Sequence, residues 1–196
     1  MASNLKVDKI QSTAGVDLLV NGYPKRPGQI IEYLSSPCDG SSVIGYSGTY
    51  TWPSVTTQQG TSTNYDTITG SSITYTPPSW ATKVVYRFEF ASYWITAHAI
   101  NNYKFLIDST EVYYARHSRS AQYQESRYAF EWAIAIGGAS NTNTGRQATW
   151  TLPKTLSMQV RMYGGSNYNN LHGTHYWDGN DGNFFSMPTL SLIAIA

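Results

Sequence analysis

The sequence predicts an all-β protein: an antiparallel two-sheet sandwich of the jelly-roll kind, preceded by an extended amino-terminal arm. Three observations carry that expectation. Short segments alternate apolar with polar residues, the period of a half-buried strand. Sixteen Tyr and six Trp stand among many Thr and Ser, side chains that pack well on a pleated surface. Clusters of Gly, Pro, Asn and Asp punctuate the chain, and no stretch sustains the 3.6-residue period of an amphipathic helix.

At the amino terminus, Leu5, Val7 and Ile10 alternate with Lys6 and Asp8. Ser12-Thr13-Ala14-Gly15 offers a turn, and Val16, Leu18 and Val20 follow. A two-stranded unit of this size is marginal alone in water, so these six apolar residues read as a docking arm that needs a partner surface. The stretch from Asn21 to Gly28, rich in Pro and Gly, reads as a stiff linker. The arm and linker therefore occupy residues 1–28 and the head domain 29–196.

Within the head, Gln29 to Leu34 reads as a short strand ended by Ser35-Ser36-Pro37 and the Asp39-Gly40 turn. Residues 41–70 are polar and loose, with Tyr50, Trp52, Val55, Tyr65 and Ile68 scattered among them, which suggests short edge strands and surface connections. Ile73 and Tyr75 form a strand that Pro77-Pro78 must interrupt, because two backbone donors are missing there. The next strand sets Val84, Tyr86, Phe88 and Phe90 on one face and Lys83, Val85, Arg87 and Glu89 on the other.

Lys104–Ile107 and Val112–Arg116 flank Asp108-Ser109-Thr110-Glu111 and read as a hairpin. From Ala129 to Ile136, large residues (Phe130, Trp132, Ile134, Ile136) alternate with Ala129, Glu131, Ala133 and Ala135, so one side fills a core and the other admits a close neighbour. Residues 137–146 read as a mobile loop of low complexity. Leu156, Met158, Val160 and Met162 repeat the inward pattern, and the closing TLSLIAIA suits a central strand.

Composition narrows the partners. Only 13% of residues are charged and the formal net charge is +1, so neither nucleic acid nor an anionic membrane is an expected partner. Cys38 is the single cysteine, which rules out an intrachain disulfide framework. Residues 1–11 lack an apolar signal core, no run has the length of a membrane span, and no N-x-[ST] site occurs, so synthesis as a soluble cytoplasmic protein is expected.

The densest polar and aromatic cluster runs from Tyr168 to Phe185. Its candidate binding residues are Tyr168, His172, His175, Tyr176, Trp177, Asp178, Phe184 and Phe185, since aromatic faces stack on sugar rings while Asn, Asp and His bond hydroxyls. The competing reading is a structured loop whose Trp177, Phe184 and Phe185 cover one end of the core or an interface. His172, His175, Asp178 and Asp181 match no metal-ligand spacing, so no metal and no cofactor is expected. Arg116, His117, Arg119 and Arg127 form the one basic concentration and read as a solvated loop or subunit contact. No nucleophile elbow, zinc-protease helix or Walker loop occurs, and an enzyme is not expected.

The opening LKVDKIQSTAG resembles the amino-terminal segment of many fibre-like structural proteins of tailed bacteriophages, particularly those infecting marine bacteria. The order Ile73-Thr-Tyr-Thr-Pro, Lys83-Val-Val-Tyr, Phe105-Leu-Ile-Asp before Thr110-Glu-Val, and the final TLSLIAIA resembles the C1q/TNF-like jelly roll that closes many of them. The likeness covers residues 5–15 and about 68–196, and it places the Pro77-Pro78-Ser79-Trp80 connection at a strand-to-strand crossing, which implies that Trp80 is an end plug or subunit contact. It implies a homotrimer within a virion, assembled in the host cytoplasm and attached to capsid or tail proteins by its arm, as a fibre or decoration protein. A host-surface polysaccharide is the alternative partner, and a polysaccharide-cleaving enzyme is less favoured. None of these motifs is catalytic.

Overall fold

The computed structural model describes residues 19–20, 23–24, 26–94, 99–121, 125–165, 169–176 and 182–196. These residues form an all-β protein of antiparallel sheets, with a single turn of 3-10 helix at Tyr113–Ala115. Eight strands build the body. In chain order they are β1 (Ile30–Pro37), β2 (Ile73–Tyr75), β3 (Lys83–Trp94), β4 (Ala99–Ile107), β5 (His117–Ala121), β6 (Glu125–Ala135), β7 (Lys154–Met162) and β8 (Thr189–Ile195).

The front sheet runs β1-β8-β3-β6 and the back sheet β2-β7-β4-β5. Consecutive strands thus fall in opposite sheets except at β4–β5, an interleaving compatible with a jelly roll. Short strands complete both layers. Asn169–Leu171 extends the β8 edge of β3 and carries Gln59–Gly60, while Asp66–Thr67 pairs with β7 and Thr110–Glu111 with β4.

The two sheets face one another across an aromatic core. Val84, Tyr86, Phe88 and Phe90 of β3 are all fully buried, as their alternation predicts. The Tyr86 ring lies 4.9 Å from Phe105 of β4, and Phe105 lies 5.4 Å from Phe130 of β6, so side chains of both layers interlock. Leu156, Met158 and Val160 enter from β7, and Leu190, Leu192 and Ala194 from β8. Strand β8 is central because β1 and β3 pair with its two edges. Its uninterrupted apolar run reflects that position.

Several expectations change. Strand β1 continues through Ser35 and Ser36 to Pro37, because Thr189, Leu190 and Ser191 pair with them. Residues 41–70 are less loose than they read. Ser42–Gly45 and Gly48–Thr51 form a hairpin, and Trp52, Val55 and Ile68 are buried in the core. The Trp52 indole donates to the Leu190 carbonyl at 2.8 Å. Val112–Arg116 is not a strand: Asp108 and Ser109 turn with positive φ, Thr110–Glu111 pairs briefly, and the chain then tightens into the 3-10 turn. Residues 137–146 are held by bonds from the Asn143 and Thr144 amides to Asn141 Oδ1 and from the Trp132 indole to the Thr144 carbonyl, not left loose. Trp80 is half-buried and meets Tyr46 edge-on at 4.7 Å, as an end cover would.

Of the docking arm, Leu5, Val7, Ile10, Val16 and Leu18 lie outside the described residues. Val20 belongs to a two-residue ladder in which Leu19–Val20 pairs with Tyr23–Pro24. The described pairing therefore uses residues of the expected linker.

Candidate interaction surface

The outward side chains of the front sheet can be placed row by row from the strand register. Tyr33, Ile193, Val85 and Ala133 stand opposite one another across β1, β8, β3 and β6. The adjoining row is Ile30, Ile195, Lys83 and Ala135, with the β1 bulge at Ile31 setting Ile30 opposite Ile195. Tyr33 is 63% exposed and Ile30 58%. Val85 is covered by its neighbours without belonging to the core cluster. Seven of these eight residues are apolar, on a face where an antiparallel sheet ordinarily turns polar side chains to water.

Above this patch the face becomes polar. Ser35, Ser191, Arg87 and Glu131 form the next row, and Ser35 and Ser191 share a hydrogen bond of 2.8 Å. Arg87 pairs with Glu89, which also faces Arg127 at 3.5 Å. These exposed ion pairs add little stability, but they give the patch a charged border.

The sequence-predicted binding cluster is divided by the fold. Gly173–Tyr176 pairs with Gly182–Phe185 as a hairpin, and Phe184 and Phe185 are 44% and 37% exposed. Gly173 is needed for close approach, since a Cβ there would meet the Tyr93 ring at 2.5 Å. His175 and Tyr176 contribute backbone to the hairpin, and their side chains lie outside the described part. Tyr168, Trp177 and Asp178 lie outside the described residues altogether, as does Asp181.

His172 points the other way. It is fully buried, with φ of 58°, and its ring stands edge-on to Phe88 and Phe90 at 6.4 and 5.9 Å. Neither ring nitrogen has a hydrogen-bond partner, and burial pushes its pKa down to about 4. His172 is thus a neutral core side chain with no access to a sugar. Among the described residues no group of three or more metal-ligating side chains comes together. Burial pushes the Cys38 thiol up to about 12, which removes it as a nucleophile.

The basic concentration is also dispersed. Arg127 is on the outer face of the front sheet, and Arg116 forms a forked pair with Glu111 beside Lys104 and Tyr65. That surface cleft, about 510 Å³, is lined by Tyr65, Lys104, Arg116 and His117, and Glu111 pairs with both Lys104 and Arg116. His117 and Arg119 instead face inward from β5. His117 stacks on Tyr103 at 4.8 Å; its Nδ1 lies 3.1 Å from the Ala115 carbonyl, which can only accept, so Nε2 accepts from the Tyr128 hydroxyl. Burial lowers the His117 pKa, consistent with a neutral ring.

Arg119 reaches between the sheets, its guanidinium carbon 4.7 Å from the Tyr128 ring and 5.6 Å from Trp94. Asn101 stands opposite Arg119, Asn169 opposite Trp94, and Ser126 opposite Ser92. This end of the interior is polar and incompletely bonded. Trp94 Nε1, both amide atoms of Asn101, Arg119 Nη1, Ser126 Oγ and Asn169 Nδ2 are closed to solvent and have no partner among the described residues. Each such atom costs about 1–3 kcal/mol. Sequence reasoning passed over Asn101 although Ala99, Tyr103, Phe105 and Ile107 mark its parity as inward.

No family model matches the chain, and no curated protein matches it.

Proposed function

We propose that this chain is a non-enzymatic structural module of a virion that assembles with copies of itself, as a homotrimer, through the outer face of its front sheet. The observation that carries this reading is the apolar row Tyr33, Ile193, Val85 and Ala133, extended by Ile30, Ile195 and Ala135. An apolar patch with a charged border suits burial against a like surface. The interleaved strand order is compatible with a jelly roll, and the resemblance to the C1q/TNF-like family supplies the threefold assembly and the virion setting. The amino-terminal residues would dock on neighbouring capsid or tail proteins by strand addition and apolar burial.

Light scattering after size exclusion at micromolar concentration tests the assembly. The wild type is expected to elute as three copies, and Ile193→Lys or Val85→Glu as one copy with an unchanged far-ultraviolet spectrum. A monomeric wild type, or a variant that keeps the wild-type mass, refutes the interface. Deleting residues 2–22 is expected to abolish incorporation into virions while the head remains folded.

A second reading, recognition of host-surface polysaccharide, is favoured by one observation: Phe184 and Phe185, which point to opposite faces of their strand, are both substantially exposed. On that reading, a glycan array gives signals that Phe184→Ala and Phe185→Ala reduce at least tenfold. Equal signals from wild type and variants dispose of it.

A further inference from the structure

We infer that the polar end of the sandwich interior binds a small inorganic monoanion of the halide class, held between the sheets by Arg119, Asn101, Trp94 and Asn169. Donors outnumber acceptors among the unpaired buried atoms there. Trp94 Nε1 and Arg119 Nη1 can only donate, as can the Asn101 and Asn169 amide nitrogens. Asn101 Oδ1 is the one unpaired atom that can only accept, and the Ser126 hydroxyl can do either. The Asn169 Oδ1 is already engaged by Ser92 at 3.2 Å, which turns its free amide nitrogen away from that bond.

The donors come from both layers. Asn101 and Arg119 stand opposite each other in the back sheet, Trp94 and Asn169 in the front sheet, and the Arg119 contact with the Trp94 ring joins the two pairs. Asn101 and Asn169 are fully buried and Trp94 is 3% exposed, so water reaches them poorly.

Charge points the same way. Arg119 makes no ion pair with a described residue, and stacking on Trp94 and Tyr128 supplies no acceptor for Nη1. The acidic side chains of the neighbouring strand stretches, Glu89 and Glu125, have outward parity on β3 and β6. The chain segments that adjoin these strand ends, residues 95–98, 122–124 and 166–168, contain no Asp or Glu. One guanidinium with neutral N–H donors and aromatic walls matches a single negative charge on a polarisable ion better than a phosphate dianion, which calls for more cations.

Thermal unfolding of the full chain tests this at constant ionic strength, with bromide, chloride or acetate replacing gluconate. The wild-type melting temperature is expected to rise with the logarithm of bromide or chloride concentration, by about 3 °C or more per tenfold increase above the dissociation constant. Arg119→Gln is expected to lose that rise whatever its melting temperature in gluconate, and the surface control Arg127→Gln to keep it. Asn101→Leu serves as the second variant should Arg119→Gln not fold, with the same expected loss. A bromide anomalous peak beside Trp94 Nε1 and Arg119 Nη1 would support the site directly. Stabilisation by acetate without bromide, an identical bromide response in Arg119→Gln and wild type, or no bromide response at all would each overturn the inference.

Discussion

Acidification should destabilise the fold through His172 before the carboxylates titrate. The ring is fully buried against Phe88 and Phe90, and its two nitrogens are unpaired. The Thr69 backbone favours the protonated ring, but burial dominates, taking the pKa from 6.5 to about 4. Between those values the unfolded chain binds a proton at this position and the folded chain does not, so stability falls as pH falls. A tenfold change in proton affinity is worth about 1.4 kcal/mol, so the full loss from neutral pH to pH 4 is roughly 3 kcal/mol. That is a large share of the 5–15 kcal/mol of an ordinary domain. Urea unfolding followed by Trp fluorescence at pH 7, 6, 5 and 4 measures it. His172→Asn is the appropriate variant because Asn tolerates the left-handed backbone that φ of 58° imposes. Whatever its stability at pH 7, its slope between pH 6.5 and 4 should be shallower than that of the wild type by roughly 3 kcal/mol in total. His117, also lowered by burial, contributes a slope of the same sign in both proteins and cancels in the comparison. Asp39, Asp108 and Glu111 are held below the usual carboxylate range, so their stabilisation is lost only at still lower pH. Parallel wild-type and variant curves would refute the argument that His172 is neutral in the core.

Substitutions at two positions test the end of the core built by residues 32–75. At Gly70, φ is 84° and an added Cβ would meet Val55 Cγ2 at 2.8 Å and Pro188 Cγ at 3.1 Å. Gly70→Ala should therefore cost about 2 kcal/mol or more in urea unfolding, and a neutral result would mean that this turn can relax. Glu32, only 9% exposed, accepts hydrogen bonds from the buried Tyr75 hydroxyl and the Tyr46 amide. Glu32→Ala leaves the buried Tyr75 hydroxyl short of an acceptor and should cost about 1–3 kcal/mol. Glu32→Gln keeps a carbonyl in reach and should recover most of that loss. Equal melting temperatures for the two variants would contradict the bonding role.

How much of this was legible depends on whether a residue's position is decided by its neighbours in sequence or by its neighbours in space. Val84 to Phe90 could be read from the chain because large apolar residues alternate with Lys83, Arg87 and Glu89, and a one-residue slip would turn every one of them outward. Ala133 and Ala135 likewise announced a close-approach face. The patch they belong to could not be read, because Tyr33 and Ile193 join it only through pairings of β1, β8 and β3 across more than a hundred residues of chain. Trp52 looked like a loop residue until its indole found the Leu190 carbonyl. His172 sits in a run of Asn, Gly, Thr and Tyr that carries no apolar period, so nothing local said that it would turn into the core. The inner face of β5 is the clearest case. His117, Ser118, Arg119 and Ser120 are all polar, and alternation therefore cannot mark one parity as buried. What half-buries His117 and Arg119 is the aromatic wall of Tyr103, Tyr128 and Trp94, assembled from three other strands. Over that wall Arg119 Nη1 has no partner among the described residues, so the region that local alternation could not mark is also the one from which a ligand is inferred.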